Sequence, residues 1–202
     1  QILMKALGSD IIHTKREDGM LGAAAKAQEL LSEIKDSISL QQFKNMSNPK
    51  AHYETTGPEI YQDLDGKIDY LVAGAGSGGT YSGVVKFLKE QNRNIKGILA
   101  DPVGSTMGGG EHADYDIEGI GNDFIAETMD MSLVDKVIKI NDTQAFDGAR
   151  ALARHEGILG GSSTGAAFSA ALKLIYEHHV KGNIVFIAPD SGDRYFSKHL
   201  YA

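Results

Sequence analysis

The chain has 202 residues, 20 Lys and Arg against 27 Asp and Glu for a formal net charge of −7, and no cysteine. That length supports one sizeable core or one and a half small domains, the charge excludes a function built on a basic patch for nucleic acid or anionic membrane, and the lack of thiols excludes disulfides, thiolate metal sites and a cysteine nucleophile. No apolar run reaches the roughly 20 residues of a membrane helix, so a soluble cytoplasmic protein is the expectation.

Ile2, Leu3, Met4, Ala6 and Leu7 read as the tail of a helix ending at Gly8, as if the chain began in mid-domain. Ile11 and Ile12 predict a strand over 10–14, followed by a polar loop over 15–19. Leu21, Ala24, Ala27, Leu30, Leu31 and Ile34 then fall at helical spacing over 20–35. Residues 37–43 form a second apolar stretch, which the Asn, Ser and Pro of 45–49 break. A domain boundary is expected there, with 1–48 the remnant of a smaller N-terminal domain whose apolar faces are partly uncovered and 49–202 a larger α/β domain.

Thr55 or Thr56 caps a helix running to about 64, and Asp65-Gly66 stops it. A strand over 68–73, a glycine loop over 74–79, a helix over 80–91 and a strand over 95–100 make a βαβ unit. After an aperiodic excursion over 102–115 come a strand over 134–140 and a helix over 143–156 with Ala145, Phe146, Ala149 and Leu152 inward. A helix over 166–178 follows, with Phe168, Ala171, Leu172 and Ile175 spaced for burial, and a strand over 184–188 closes the series. This alternation predicts an open, mostly parallel sheet flanked by helices, in which ligands collect beyond the carboxyl ends of the strands.

Glycine carries the chemical signal. Its 24 residues are roughly 12% of the chain against an ordinary level of about 7%, and they cluster in loops. In Ala73-Gly74-Ala75-Gly76-Ser77-Gly78-Gly79-Thr80 the amides, the two hydroxyls and a helix N-terminus can all face an anion, which suits a phosphate held without a lysine. Gly74-x-Gly76-x-x-Gly79 also satisfies a dinucleotide fingerprint, with Asp101, 27 residues on, as the ribose acid. An NAD-dependent oxidoreductase is therefore an alternative. Against it stand the long spacing, Pro102 directly after Asp101, and further Gly/Ser loops without a role. In Gly160-Gly161-Ser162-Ser163-Thr164-Gly165 and in Pro189-Asp190-Ser191-Gly192-Asp193-Arg194-Tyr195, small hydroxyl groups can make a single uncharged hydrogen bond to a ring nitrogen. The seven histidines show no ligand spacing, and no metal site is expected.

Together with Glu118-Gly119-Ile120-Gly121-Asn122-Asp123-Phe124, Leu40-Gln41-Gln42-Phe43 and the stretch from Asn48 to Thr56, these motifs resemble, in order, those of the cysteine synthase and cystathionine β-synthase family. Those are pyridoxal-phosphate enzymes of fold type II, like the tryptophan synthase β chain, and the resemblance covers essentially the whole chain. It implies that Gly76, Ser77, Gly78, Gly79 and Thr80 hold the cofactor phosphate and that Ser163, rather than Ser162, meets the pyridine nitrogen. A neutral hydroxyl there makes a milder electron sink, which favours β-elimination and replacement over transamination. Gln42 resembles a residue that meets the substrate carboxylate, and Gly119, Ile120 and Gly121 a mobile loop that closes over the substrate.

The implied reaction is β-replacement on serine or O-acetylserine by sulfide or homocysteine, in a homodimer acting on small-molecule amino acids. Acidic residues beside 119–121 lean towards the cystathionine branch, where they would engage the ammonium of a second amino acid. The family's Schiff-base lysine and its Ser/Thr-Gly-Asn-Thr substrate loop lie upstream of what matches Gln1. None of the fifteen lysines stands in a matching context: Lys26, Lys86 and Lys173 lie on helices and Lys50 follows Pro49 in a turn. One domain is thus expected to be incomplete, no catalytic residue is assigned, and the 202 residues alone are expected not to turn over. A non-catalytic fragment or interaction partner is the remaining alternative.

Overall fold

The computed structural model describes residues 1–201. It divides into two compact units, Gln1–Gln41 and Gln42–Ala202. The first holds the short helix α1 (Ile2–Ala6) and the helix α2 (Gly19–Glu33), neither of which has a fully buried residue. Leu21 and Ile34 of the predicted apolar stripe are exposed, as are Ile2, Leu7, Ile38 and Leu40. Residues 10–14, predicted as a strand, form none. An isolated strand leaves its amides and carbonyls unpaired, and this unit has no second strand among the described residues to pair with it.

The second unit carries α3 (Ser47–Glu54), α4 (Thr56–Asp63), β1 (Tyr70–Gly74), α5 (Gly79–Gln91), β2 (Lys96–Pro102), β3 (Lys136–Ile140), α6 (Asp142–Glu156), α7 (Ser162–Tyr176) and β4 (Ile184–Phe186). Residues 45–49, read as a break, instead open α3 with Pro49 in its first turn, where a missing amide costs nothing. Lys50 is accordingly helical and pairs with Glu54 at 3.6 Å. The Asn141 side chain and Gln144 form a capping box at the start of α6.

The four strands run parallel in the order β3-β2-β1-β4. Side-chain alternation sends Leu71, Ala73 and Leu99 to one face, where Val84, Val85 and Leu88 of α5 meet them. Val72, Ile98, Ala100, Ile138 and Ile140 point to the other, under Ala145, Ala166, Ala170 and Leu174 of α6 and α7. Each large apolar side chain removed from water here is worth about 1.5–3 kcal/mol. The stripe of α7 is only partly the predicted one: Ala171 is buried as expected, together with Ala167, Ala170 and Leu174, but Phe168 and Leu172 are half-buried and Ile175 is exposed. Small residues let that helix lie close on the sheet, and the bulkier apolar residues fall to its flanks.

The chain leaves β1 for β2 and β3 on one side and returns to β4 on the other, so the direction of winding reverses between β1 and β4. The loops after these two adjacent strands open at the same carboxyl edge, the place where such sheets form a crevice.

Candidate active site

The turn from β1 into α5 is held through its carbonyls. Ala75 O accepts from Gly121 N at 2.8 Å, Gly76 O from Asn122 Nδ2 at 2.6 Å, Ser77 O from Thr128 Oγ1 at 2.7 Å and Gly78 O from Ser82 N at 2.8 Å. With its carbonyls turned into the protein, the turn presents its amides the other way, and those of Gly76, Ser77, Gly78 and Thr80 have no partner among the described residues. Unpaired amides at a helix N-terminus are an anion-binding arrangement. Two of the glycines are required. Gly78 sits at φ +80°, and a Cβ on Gly76 would lie 2.5 Å from Gly119 O.

Thr80 Oγ1 is 3.0 Å from His52 Nε2, whose Nδ1 is 3.0 Å from Thr56 Oγ1. Burial lowers the His52 pKa below its ordinary value, so the neutral ring joins the two hydroxyls as one donor and one acceptor.

The second helix start is built differently. Ser162, Ser163 and Thr164, expected in a loop before a helix at 166, form the buried first turn of α7. Ser162 Oγ accepts from Glu118 N at 2.9 Å, whereas the Ser163 hydroxyl makes no hydrogen bond among the described residues and the fully buried Thr164 Oγ1 has no partner. Ahead of the turn, Gly161 N donates to Asp190 Oδ1 at 3.0 Å, and Tyr195 OH donates to Asp190 Oδ2. Burial, then the Asp190 carboxylate, pushes the Tyr195 hydroxyl well above its ordinary pKa. The loop after β4 is thereby tied to α7.

Residues 118–122 span the two starts, bound to Ser162 at one end and to Ala75 and Gly76 at the other, with Ile120 buried between them. Gln42 joins from outside the sheet. Its carbonyl accepts from Asn48 Nδ2 at 2.8 Å and lies 3.4 Å from Thr128 Oγ1, whose one hydrogen goes to Ser77 O, and its side chain is exposed with no partner among the described residues. Hydrogen bonds thus join the α5 turn to residues 118–122 and these to Ser162, Gln42 reaches the turn through Asn48, and the Ser163 side chain stands outside this network.

One expectation fails. Asp101, the ribose acid of the dinucleotide reading, is 1% exposed, and its Oδ2 accepts from Lys139 Nζ at 2.5 Å and Gly108 N at 3.0 Å, so it is not presented to a ligand. The acidic residues beside 119–121 are exposed, and two of them take part in surface pairs, Glu118 with Lys198 and Asp123 with His112, each at 2.8 Å. Sequence reasoning also missed Asn48, Ser105, Asn122 and Thr128 as parts of the scaffold. Ser105 Oγ bonds Asn122 from both sides, donating to its carbonyl and accepting from its amide. Such lone polar residues carry no spacing signal, because their partners lie anywhere from 6 to 86 positions away.

The free amides, the glycine cradle and the uncommitted hydroxyls of α7 fit a phosphorylated group that also offers a neutral acceptor. The chain matches the family described as "Pyridoxal-phosphate dependent enzyme" over residues 1–190. It is 48% identical over 201 residues to an O-acetylserine dependent cystathionine beta-synthase of Bacillus subtilis and 42% identical over 211 residues to cysteine synthase A of Escherichia coli. Those alignments cover 100% and 99% of this chain, which spans 66% and 65% of the respective relatives. Among solved structures, an O-acetylserine dependent cystathionine beta-synthase from Helicobacter pylori superposes with a TM-score of 0.94 at 41% identity, over 100% of this chain and 66% of that one. The chain belongs to the pyridoxal-phosphate dependent enzymes of fold type II, in the cysteine synthase and cystathionine β-synthase group.

Proposed function

We propose that these residues serve a pyridoxal-phosphate-dependent β-replacement in which O-acetylserine, or serine, is the donor and homocysteine or sulfide the sulfur nucleophile. The observation that carries the reading is the turn whose carbonyls are all engaged while four amides stay free. Bound pyridoxal phosphate supplies the electron sink for loss of the proton at Cα and of the leaving group at Cβ. Gly76, Ser77, Gly78, Gly79 and Thr80 hold its phosphate through backbone amides, the Ser77 and Thr80 hydroxyls and the N-terminus of α5. Ser163 Oγ meets the ring nitrogen as a neutral partner. The side-chain amide of Gln42 holds the substrate carboxylate, and Gly119, Ile120 and Gly121 shield the reacting atoms from water.

The donor preference follows the two relatives whose names specify O-acetylserine. The exposed acidic groups beside 119–121, Asp116, Glu118 and Asp123, engage the ammonium of a second amino acid. Residues 1–48 belong to the smaller domain and 49–202 to the larger, the Schiff-base lysine comes from residues outside the 202, and the working form is a homodimer. No lysine here is assigned a catalytic role.

The test is a fusion of the preceding segment of the Bacillus subtilis relative ahead of Gln1, assayed with both donors against both nucleophiles by mass spectrometry. The expected products are cystathionine or cysteine from the fusion and none from the 202 residues alone, although both bind pyridoxal phosphate. Binding of NAD in place of pyridoxal phosphate, or a fusion that binds the cofactor yet forms neither product, would overturn the proposal.

A further inference from the structure

We propose that Asn48 and Thr128 are positioning residues that couple occupancy of the glycine turn to the placement of Gln42. The inference rests on the reading of that turn as a phosphate site. Gln42 precedes Ser77 by 35 positions, and covalent connection does not fix one against the other. Two side chains from separate segments do so instead, each reaching both sides. Asn48 Nδ2, on α3, has two hydrogens and two acceptors, Gln42 O at 2.8 Å and Ser77 Oγ at 3.0 Å. Thr128, 1% exposed, lies 2.7 Å from Ser77 O and 3.4 Å from Gln42 O. A third tie runs beside them, from Thr128 N to Phe43 O at 3.4 Å.

The direction of these bonds makes them a relay. Ser77 Oγ accepts from Asn48, so its own proton is available to an anion in the turn. A hydroxyl that donates to an anion becomes a better acceptor, which strengthens the bond from Asn48. The same nitrogen holds the Gln42 carbonyl through its other hydrogen. An occupied turn therefore stiffens the backbone at 42 and fixes where the exposed Gln42 side chain begins, before any substrate arrives. An empty turn leaves the relay slack. The coupling makes the substrate-binding residue conditional on a phosphate in place.

The chain contains no tryptophan, which gives a direct readout. Phe43 stands edge-on to Phe124 at 5.5 Å, and Phe43→Trp places the sole indole next to Gln42. The protein carrying this reporter is titrated with inorganic phosphate while calorimetry and indole emission are followed together. The expected result is a saturable emission shift with the same midpoint as the heat. Asn48→Ala and Thr128→Val should still bind phosphate but lose more than half of the emission shift, and Thr128→Ser, which keeps the hydroxyl, should restore it. Thr128→Val is nearly isosteric and decides the matter if Asn48→Ala does not fold. Phosphate binding with no emission response in the reporter, or with an undiminished response in both variants, would overturn the coupling alone. No binding heat at all would overturn the phosphate site and the coupling with it.

Discussion

The starts of α5 and α7 are both buried helix N-termini opening at the sheet's carboxyl edge, yet they suit opposite ligands. Neither helix has an acidic residue in its own first turn. At α7, however, Asp190 from the loop after β4 accepts from Gly161 N and places a carboxylate against the positive end of the helix. Among the described residues no carboxylate accepts from the amides of the α5 turn, four of which stay free. The dipole at α5 is available to a dianion, and the dipole at α7 is already answered, which leaves hydroxyls for an uncharged contact. On the proposed assignment, one chain of net charge −7 would separate the phosphate end of a cofactor from its ring end without committing a lysine to either.

The strongest way to break this contrast is Gly76→Ala. The new Cβ meets Gly119 O at 2.5 Å and forces either the turn or residues 118–122 to move. Pyridoxal phosphate affinity should fall roughly 100-fold or more by calorimetry, with the fold retained by circular dichroism. A loss below about tenfold would show that the free amides are not the anion site.

Lys139→Met comes next. It strands the buried Asp101 carboxylate, which the Lys139 ammonium now meets at 2.5 Å. Since Lys139 is itself about a third exposed, the cost should be roughly 2–3 kcal/mol in denaturant unfolding, below that of a fully buried pair. Lys139 Nζ also donates to Ser105 O, and Ser105 holds Asn122, which holds Gly76 O, so the α5 turn should loosen while α7 keeps its protection from hydrogen exchange.

Asp190→Asn sharpens the comparison from the other side. It removes the charge at α7 and weakens the bonds to Gly161 N and Tyr195 OH, a loss of about 1 kcal/mol of stability. Phosphate affinity at the α5 turn should stay within about twofold. The smallest effect is a pH dependence. Because burial depresses the His52 pKa in the folded chain, the unfolded chain takes up that proton first as pH falls through about 6.5. Stability should decline by a few tenths of a kcal/mol below that pH, given the partial exposure of the ring, and His52→Gln should flatten this part of the profile.

Much of this was legible in the sequence because periodicity and turn chemistry agree over long stretches. The β1, α5, β2 unit follows from apolar runs around a glycine loop, and the motif order pointed to the family to which the chain belongs. The start of α7 was not legible. Gly160-Gly161-Ser162-Ser163-Thr164-Gly165 reads as loop because Ser, Thr and Gly favour caps and turns, and only tertiary burial makes its last four residues helical. The failed strand at 10–14 is the complementary case, where apolar pattern without a partner strand forms no ladder. The relay of Asn48, Thr128, Asn122 and Ser105 was invisible because long-range hydrogen bonds between single polar residues leave no local pattern.

The most direct test of the central claim is an amide proton–nitrogen correlation spectrum of the protein titrated with inorganic phosphate and then with pyridoxal phosphate. The account predicts that phosphate alone moves the amides of Gly76, Ser77, Gly78 and Thr80 and leaves Ser163 and Thr164 in place, and that pyridoxal phosphate moves both groups. Phosphate shifts centred on α7, or pyridoxal phosphate binding that leaves the four turn amides unmoved, would contradict it.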